Sequence, residues 1–167
     1  KRALTWNEQG ILDGARHITL AGTTAYIAAN AGVVVLDLDQ PLQPRLLAVI
    51  PLRDVRATAV QFRYLFATTA DGLQIIDVTH PEQPRIVADA LIPLQDAQRV
   101  YVARTYAYVA AGSQGLAIID VERAEQPHLY QLYTAQDTLN DTRDVIVATT
   151  NATLYAYLAD GKNGLKV

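Results

Sequence analysis

The sequence predicts an all-β fold made of repeated four-stranded antiparallel sheets, and three observations predict it. The first is a motif in three copies with one spacing: Gly32 to Asp37 running into Pro41, Pro44 and Arg45, Gly72 to Asp77 running into Pro81, Pro84 and Arg85, and Gly115 to Asp120 running into Ala124, Pro127 and His128. A fourth copy begins at Gly164 and Leu165. The second is a shared unit upstream of each glycine: an arginine (Arg16, Arg56, Arg99, Arg143), an alternating run, a short turn, then an apolar run carrying Tyr26, Phe66, Tyr108 or Tyr157. The third is composition. Met is absent, Phe occurs twice, and half of the residues are hydrophobic, drawn mainly from Val, Ile, Leu, Ala and Tyr. Such a mixture favours strands.

Each unit resolves into four elements. Strand A follows the arginine, and strand B carries the aromatic. Strand C is the glycine-to-aspartate run, and strand D follows the second proline, as in Arg85 to Ile92. Turn signals stand between them at Gly22, Asp71-Gly72, Gly112-Ser113 and Asp160-Gly161. The glycines at 32, 72, 115 and 164 lie 40, 43 and 49 residues apart, and the polar insert Thr149 to Thr153 explains most of the last interval as a longer hairpin tip. Near-continuous apolar strands imply cover on both faces, as when each small sheet is sandwiched between neighbours. No segment longer than a turn shows helical periodicity. Four-stranded units repeating every 40 or so residues are the blades of a β-propeller.

Composition bounds the function classes. A net charge of -3 argues against general nucleic-acid binding, which needs a basic face to neutralise phosphates. No run of about 18 apolar residues exists, so no membrane span is expected. The absence of cysteine excludes disulfides, thiolate metal sites and covalently attached haem within these residues.

The third-strand runs Leu73 to Val78 and Leu116 to Val121, with the turn Thr79-His80-Pro81-Glu82-Gln83-Pro84, resemble the LVIVD-repeat family of bacterial β-propeller proteins. The first copy (Val33 to Leu38) and the third, with Ala124 for the first proline, depart mildly. The resemblance covers nearly all of the sequence. It implies a propeller fold and a secreted, periplasmic or cell-surface location, and it implies no particular activity.

Arg2 to Arg16 aligns without gaps onto Arg85 to Arg99, so Arg2 to Trp6 reads as an isolated strand D. The blade units are then about 13–53, 54–95, 96–139 and 140–167, with 1–12 as that outer strand: four blades' worth in all. Two arrangements follow. The N-terminal strand closes a four-bladed ring, hiding the open edges, or the sequence is a piece of a larger propeller, which is the favoured expectation.

Candidate chemistry is sparse. Asp37, Asp77 and Asp120 recur at one repeat position and are read as caps accepting backbone N–H groups of the proline turn. Arg16, Arg56, Arg99 and Arg143, with Asp13, Asp54, Asp96 and Asp141 two or three residues before them, are expected at one mouth of the central channel. There they act as inter-blade ion pairs or, alternatively, bind an anion through converging guanidinium groups. His17, His80 and His128 occupy different repeat positions with no metal-ligand spacing. Asp160 to Gly164 reads as a hairpin turn rather than a calcium loop, lacking the downstream glutamate. Tyr130 and Tyr133 lie on an outer strand and are not shared between copies, so they are read as packing or as a contact surface.

No catalytic, cofactor or metal residue is nominated, and no cofactor is expected. The leading expectation is a non-catalytic binding or scaffolding module of a larger extracytoplasmic bacterial protein, with a protein partner or other parts of the same polypeptide. The alternative is an accessory propeller of an enzyme or multihaem electron-transfer assembly whose reactive groups lie outside these residues.

Overall fold

A computed structural model describes residues 4–149 and 153–167. Three four-stranded antiparallel meanders and one three-stranded sheet follow one another along the chain. Blade 1 is β1 (His17–Ala21), β2 (Thr24–Ala29), β3 (Gly32–Asp37) and β4 (Arg45–Ile50). Blade 2 is β5 (Ala57–Gln61), β6 (Tyr64–Thr69), β7 (Gly72–Asp77) and β8 (Arg85–Pro93). Blade 3 is β9 (Arg99–Ala103), β10 (Tyr106–Ala110), β11 (Leu116–Asp120) and β12 (His128–Tyr133). Blade 4 is β13 (Asp144–Thr149), β14 (Leu154–Ala159) and the short β15 (Leu165–Lys166). The fold is all-β, with strand A innermost: β1 packs beside β5, β5 beside β9, and β9 beside β13.

The blades repeat in detail. The register slips between strands C and D at the same place in each complete blade, by one residue near Leu36 and Ile119 and by three near Ile76. Such a bulge bends strand D and raises the local twist. In the three complete blades the strand-B aromatic faces the next blade. Tyr26 packs into the core between blades 1 and 2 with Val33, Val35, Leu65 and Ile76. Phe66 lies between blades 2 and 3 with Ile75, Val109 and Ile119, and Tyr108 lies between blades 3 and 4 with Leu116, Val145 and Leu158. Leu36, Ile75, Ile76 and Ile119 are buried, as strand C requires. Ile118 is only half-buried, because it faces blade 4, whose sheet has three strands rather than four.

The segment expected as an isolated outer strand behaves differently. Its first residues, Arg2 and Ala3, lie outside the described residues, as do Thr150, Asn151 and Ala152 of the hairpin insert. Leu4 to Asn7 carry no strand pairing, and a 3-10 turn follows at Glu8–Gly10. Trp6, Ile11 and Leu12 instead pack over the face of blade 1 turned away from blade 2, against Ala25, Ile27, Val34 and Leu36. The amphipathic indole favours that apolar sheet face over an edge ladder. Among the described residues no strand pairs with the free edge of β15.

Candidate functional site

The aspartates that end strand C cap the turns that follow. Asp37 accepts the Asp39 N–H at 2.9 Å, Asp77 accepts the Thr79 N–H at 2.8 Å, and Asp120 accepts the Glu122 N–H at 2.9 Å. At Asp37 and Asp77 these bonds stabilise the ionised form. The Asp39 N–H and then the Arg45 guanidinium hold the Asp37 carboxyl below the usual carboxylate range, and the Thr79 hydroxyl and N–H do the same for Asp77. Asp160, fully buried, accepts from the Asp141 N–H at 2.9 Å, the Thr142 hydroxyl at 3.2 Å and the Asn163 amide at 2.8 Å. It braces its hairpin. Among the described residues no group of three or more His, Asp or Glu side chains is placed to hold a metal ion.

The channel mouth carries a belt of charge. Arg16 of blade 1 reaches Asp54 of blade 2 at 2.5 Å. Arg56 bonds its own Asp54 at 3.0 Å and Asp96 of blade 3 at 2.7 Å, and also donates to the Ala97 carbonyl. Two aspartates and two arginines thus form a continuous chain across two blade junctions. The Arg16 guanidinium, and then Arg56, keep the Asp54 carboxyl below its ordinary range against a desolvation that opposes them. Arg143 pairs with Asp141 at 2.5 Å within blade 4. Among the described residues Asp13 meets no arginine; its carboxylate accepts from the Asn7 amide at 2.8 Å.

Arg99 does not share the place of the other three. The backbone N–H groups of Arg16, Arg56 and Arg143 donate to Ala28, Thr68 and Ala159, one residue ahead of the first paired residue of strand A. In blade 3 that bond is made by Gln98, to Ala110. The Gln98 amide also bonds Asp96 at 2.6 Å, just as Arg56 bonds Asp54. Arg99 therefore stands one residue further on, level with His17, Ala57 and Asp144, and a one-residue step turns a strand side chain to the opposite face. The sequence held the signal. Ten residues separate Arg16 from Tyr26, Arg56 from Phe66 and Gln98 from Tyr108, whereas Arg99 lies nine from Tyr108. An extra residue in the β10–β11 turn restores the 16-residue distance from Arg99 to its glycine and hides the slip.

Among the described residues the Arg99 side chain makes no hydrogen bond or ion pair. With His17, Val100, Tyr101, Asp144, Val145 and Ile146 it lines an open cleft of about 350 Å³ between the inner strands. His17 is oriented by blade 2: its Nδ1 accepts the Thr58 N–H at 3.2 Å. Burial, followed by the nearby Arg99 charge, lowers the His17 pKa, and Asp144 only partly offsets this. The imidazole is therefore neutral at pH 7, with its proton on Nε2. His80 sits in a proline turn and His128 opens β12, so the three histidines stay apart. Tyr130 and Tyr133 lie on β12, the outermost strand of blade 3, whose six residues are all exposed.

Similar solved structures share the fold at low identity. PorZ, an essential bacterial surface component of the type-IX secretion system of Porphyromonas gingivalis, is 17% identical with a TM-score of 0.55, over 89% of this chain and 20% of that one. AztD of Citrobacter koseri is 16% identical with a TM-score of 0.52, over 88% of this chain and 44% of that one. Its apo form gives 17% identity and a TM-score of 0.51, over 92% of this chain and 47% of that one. The chain thus spans less than half the length of these neighbours. No protein of curated function matches it. The LVIVD repeat pattern matches residues 14–48, 95–134 and 141–167, and the chain belongs to the LVIVD-repeat family.

Proposed function

We propose that this chain is a non-catalytic binding and scaffolding module of a larger extracytoplasmic bacterial protein. The observation that carries the reading is β12. Its counterparts turn residues inward: β4 ends on buried Ile50, and β8 buries Ala90 and Ile92. In β12 every side chain is exposed, including Leu129, Leu132, Tyr133 and Tyr130, the last at 62%. An outer strand rich in exposed tyrosine and leucine offers both an unpaired backbone edge and aromatic anchors to a protein partner. Two further features support a larger assembly. Ile146, 58% exposed, with Tyr155 and Leu165, lies on the face of blade 4 that the repeat turns towards a following blade. Neighbours with the same fold are at least twice as long as the stretch they share with this chain. The extracytoplasmic location rests on the family resemblance and on the surface placement that PorZ's description gives for PorZ.

A photocrosslinking residue at position 130, compared with one at the equally exposed Leu42, tests this in fractionated cells of the native host. The expected result is a discrete protein adduct from position 130 and none from position 42, outside the cytoplasm. Equal labelling from both positions, or a cytoplasmic protein, overturns the reading.

A further inference from the structure

Four side chains occupy one tier of the inner strands. His17, Ala57, Arg99 and Asp144 are each the first paired residue of strand A in their blade. The belt residues one step earlier are satisfied by one another, but this tier is not. Among the described residues the Arg99 side chain has no partner, and the one hydrogen bond of the Asp144 side chain is to the adjacent Val145 N–H, at 2.8 Å. Arg99 and Asp144 nevertheless line the same open cleft of about 350 Å³ without forming an ion pair. That volume lies at the low end of small-molecule sites. His17 adds an Nε2–H donor that its bond to Thr58 leaves free, and Tyr101, Val100 and Ile146 add apolar wall.

A lone anion would meet the guanidinium but also face the Asp144 carboxylate, and a lone cation would meet the reverse. The ligand that satisfies both carries a carboxylate and an ammonium on one small frame. We infer that this channel cleft binds a free α-amino acid. Its carboxylate lies on the Arg99 guanidinium, which suits bidentate recognition, and on the His17 Nε2–H, while its ammonium lies on Asp144. The site is separate from the exposed β12 surface, although its wall residue Ile146 also lies on the face of blade 4 turned towards a following blade. A failed crosslink at position 130 and failed ligand binding are therefore read apart.

Isothermal titration of the purified chain with glycine, L-leucine and L-glutamate, each beside its N-acetyl and carboxamide derivative, and with acetate, tests the inference. At least one free amino acid is expected to bind, with both blocked forms weaker by about tenfold or more, since each loses a charged hydrogen bond. Arg99→Gln and Asp144→Asn should each weaken that binding by a similar factor and leave thermal unfolding unchanged, because neither side chain braces the fold. Acetate or an N-acetyl derivative binding as tightly as the free amino acid overturns the proposal in favour of a simple anion site. So does the absence of heat from every ligand at about 10 mM, roughly tenfold above the Kd of a weak, about 1 mM site.

Discussion

Gly72→Ala is expected to be among the most damaging single-methyl additions in this fold. Gly72 opens strand C of blade 2 with φ +132°, and a Cβ there would lie 2.1 Å from the Ile92 carbonyl oxygen and 2.7 Å from the Leu94 nitrogen. Both obstacles are backbone, held in the β7–β8 ladder and tied to the buried Ile92 and Leu94, so neither swings aside. The conformational term alone is about 1–3 kcal/mol. Moving β8 away from β7 adds the loss of its ladder bonds and of packing between blades 2 and 3, so the total is about 3–5 kcal/mol out of a typical 5–15 kcal/mol. Gly22→Ala provides the control. Gly22 also has positive φ, at +59°, but nothing lies within 4 Å of an added Cβ. That change should cost only about 1 kcal/mol, the left-handed penalty reduced by a stiffer unfolded chain. Urea unfolding followed by circular dichroism measures both through the midpoint and slope. A difference between the two variants below about 1 kcal/mol would refute the reasoning that backbone approach, rather than φ alone, fixes this glycine.

Three other outcomes are expected. Ile76→Ala, at a fully buried position between blades 1 and 2, should cost about 2–5 kcal/mol through lost transfer energy and a cavity, and a urea-measured change below about 0.5 kcal/mol contradicts the assignment. Arg56→Gln breaks a two-junction brace whose side chains are a quarter to a third exposed, and after allowance for screening it should cost about 1–2 kcal/mol. Arg99→Gln should cost less than about 0.5 kcal/mol, and equal losses from the two would show that the unpaired arginine is also structural. Asp54, Asp77 and Asp141 have carboxyl pKa values below the ordinary range. Their stabilisation is therefore complete above the unfolded carboxylate pKa of about 4 and is lost as pH falls through the lower folded values. The urea midpoint should fall steeply below about pH 4 and less steeply in Asp54→Asn; an unchanged acid limb in that variant removes Asp54 from the account.

The sequence by itself determined the blade. Period, strand order, the strand-B aromatic and the capping aspartates are all local or short-range patterns, and a strand's period of two transmits them directly to which face is buried. Tyr26, Phe66 and Tyr108 could be assigned to core for that reason. That arginines and aspartates pair between blades was legible, but which partner each arginine takes was not. Whether Arg56 meets Asp54, Asp96 or both depends on how neighbouring sheets rotate against one another, and no spacing within a repeat encodes that angle. Arg99 shows the limit most clearly. Its residue type and its distance to Gly115 placed it with Arg16, Arg56 and Arg143, while the hydrogen-bond register placed Gln98 there and turned Arg99 into the channel. The path of Trp6 likewise required the tertiary structure, because an apolar N-terminal segment can add to a sheet edge or cover a sheet face. The exposed apolar face of blade 1 attracted it to the second.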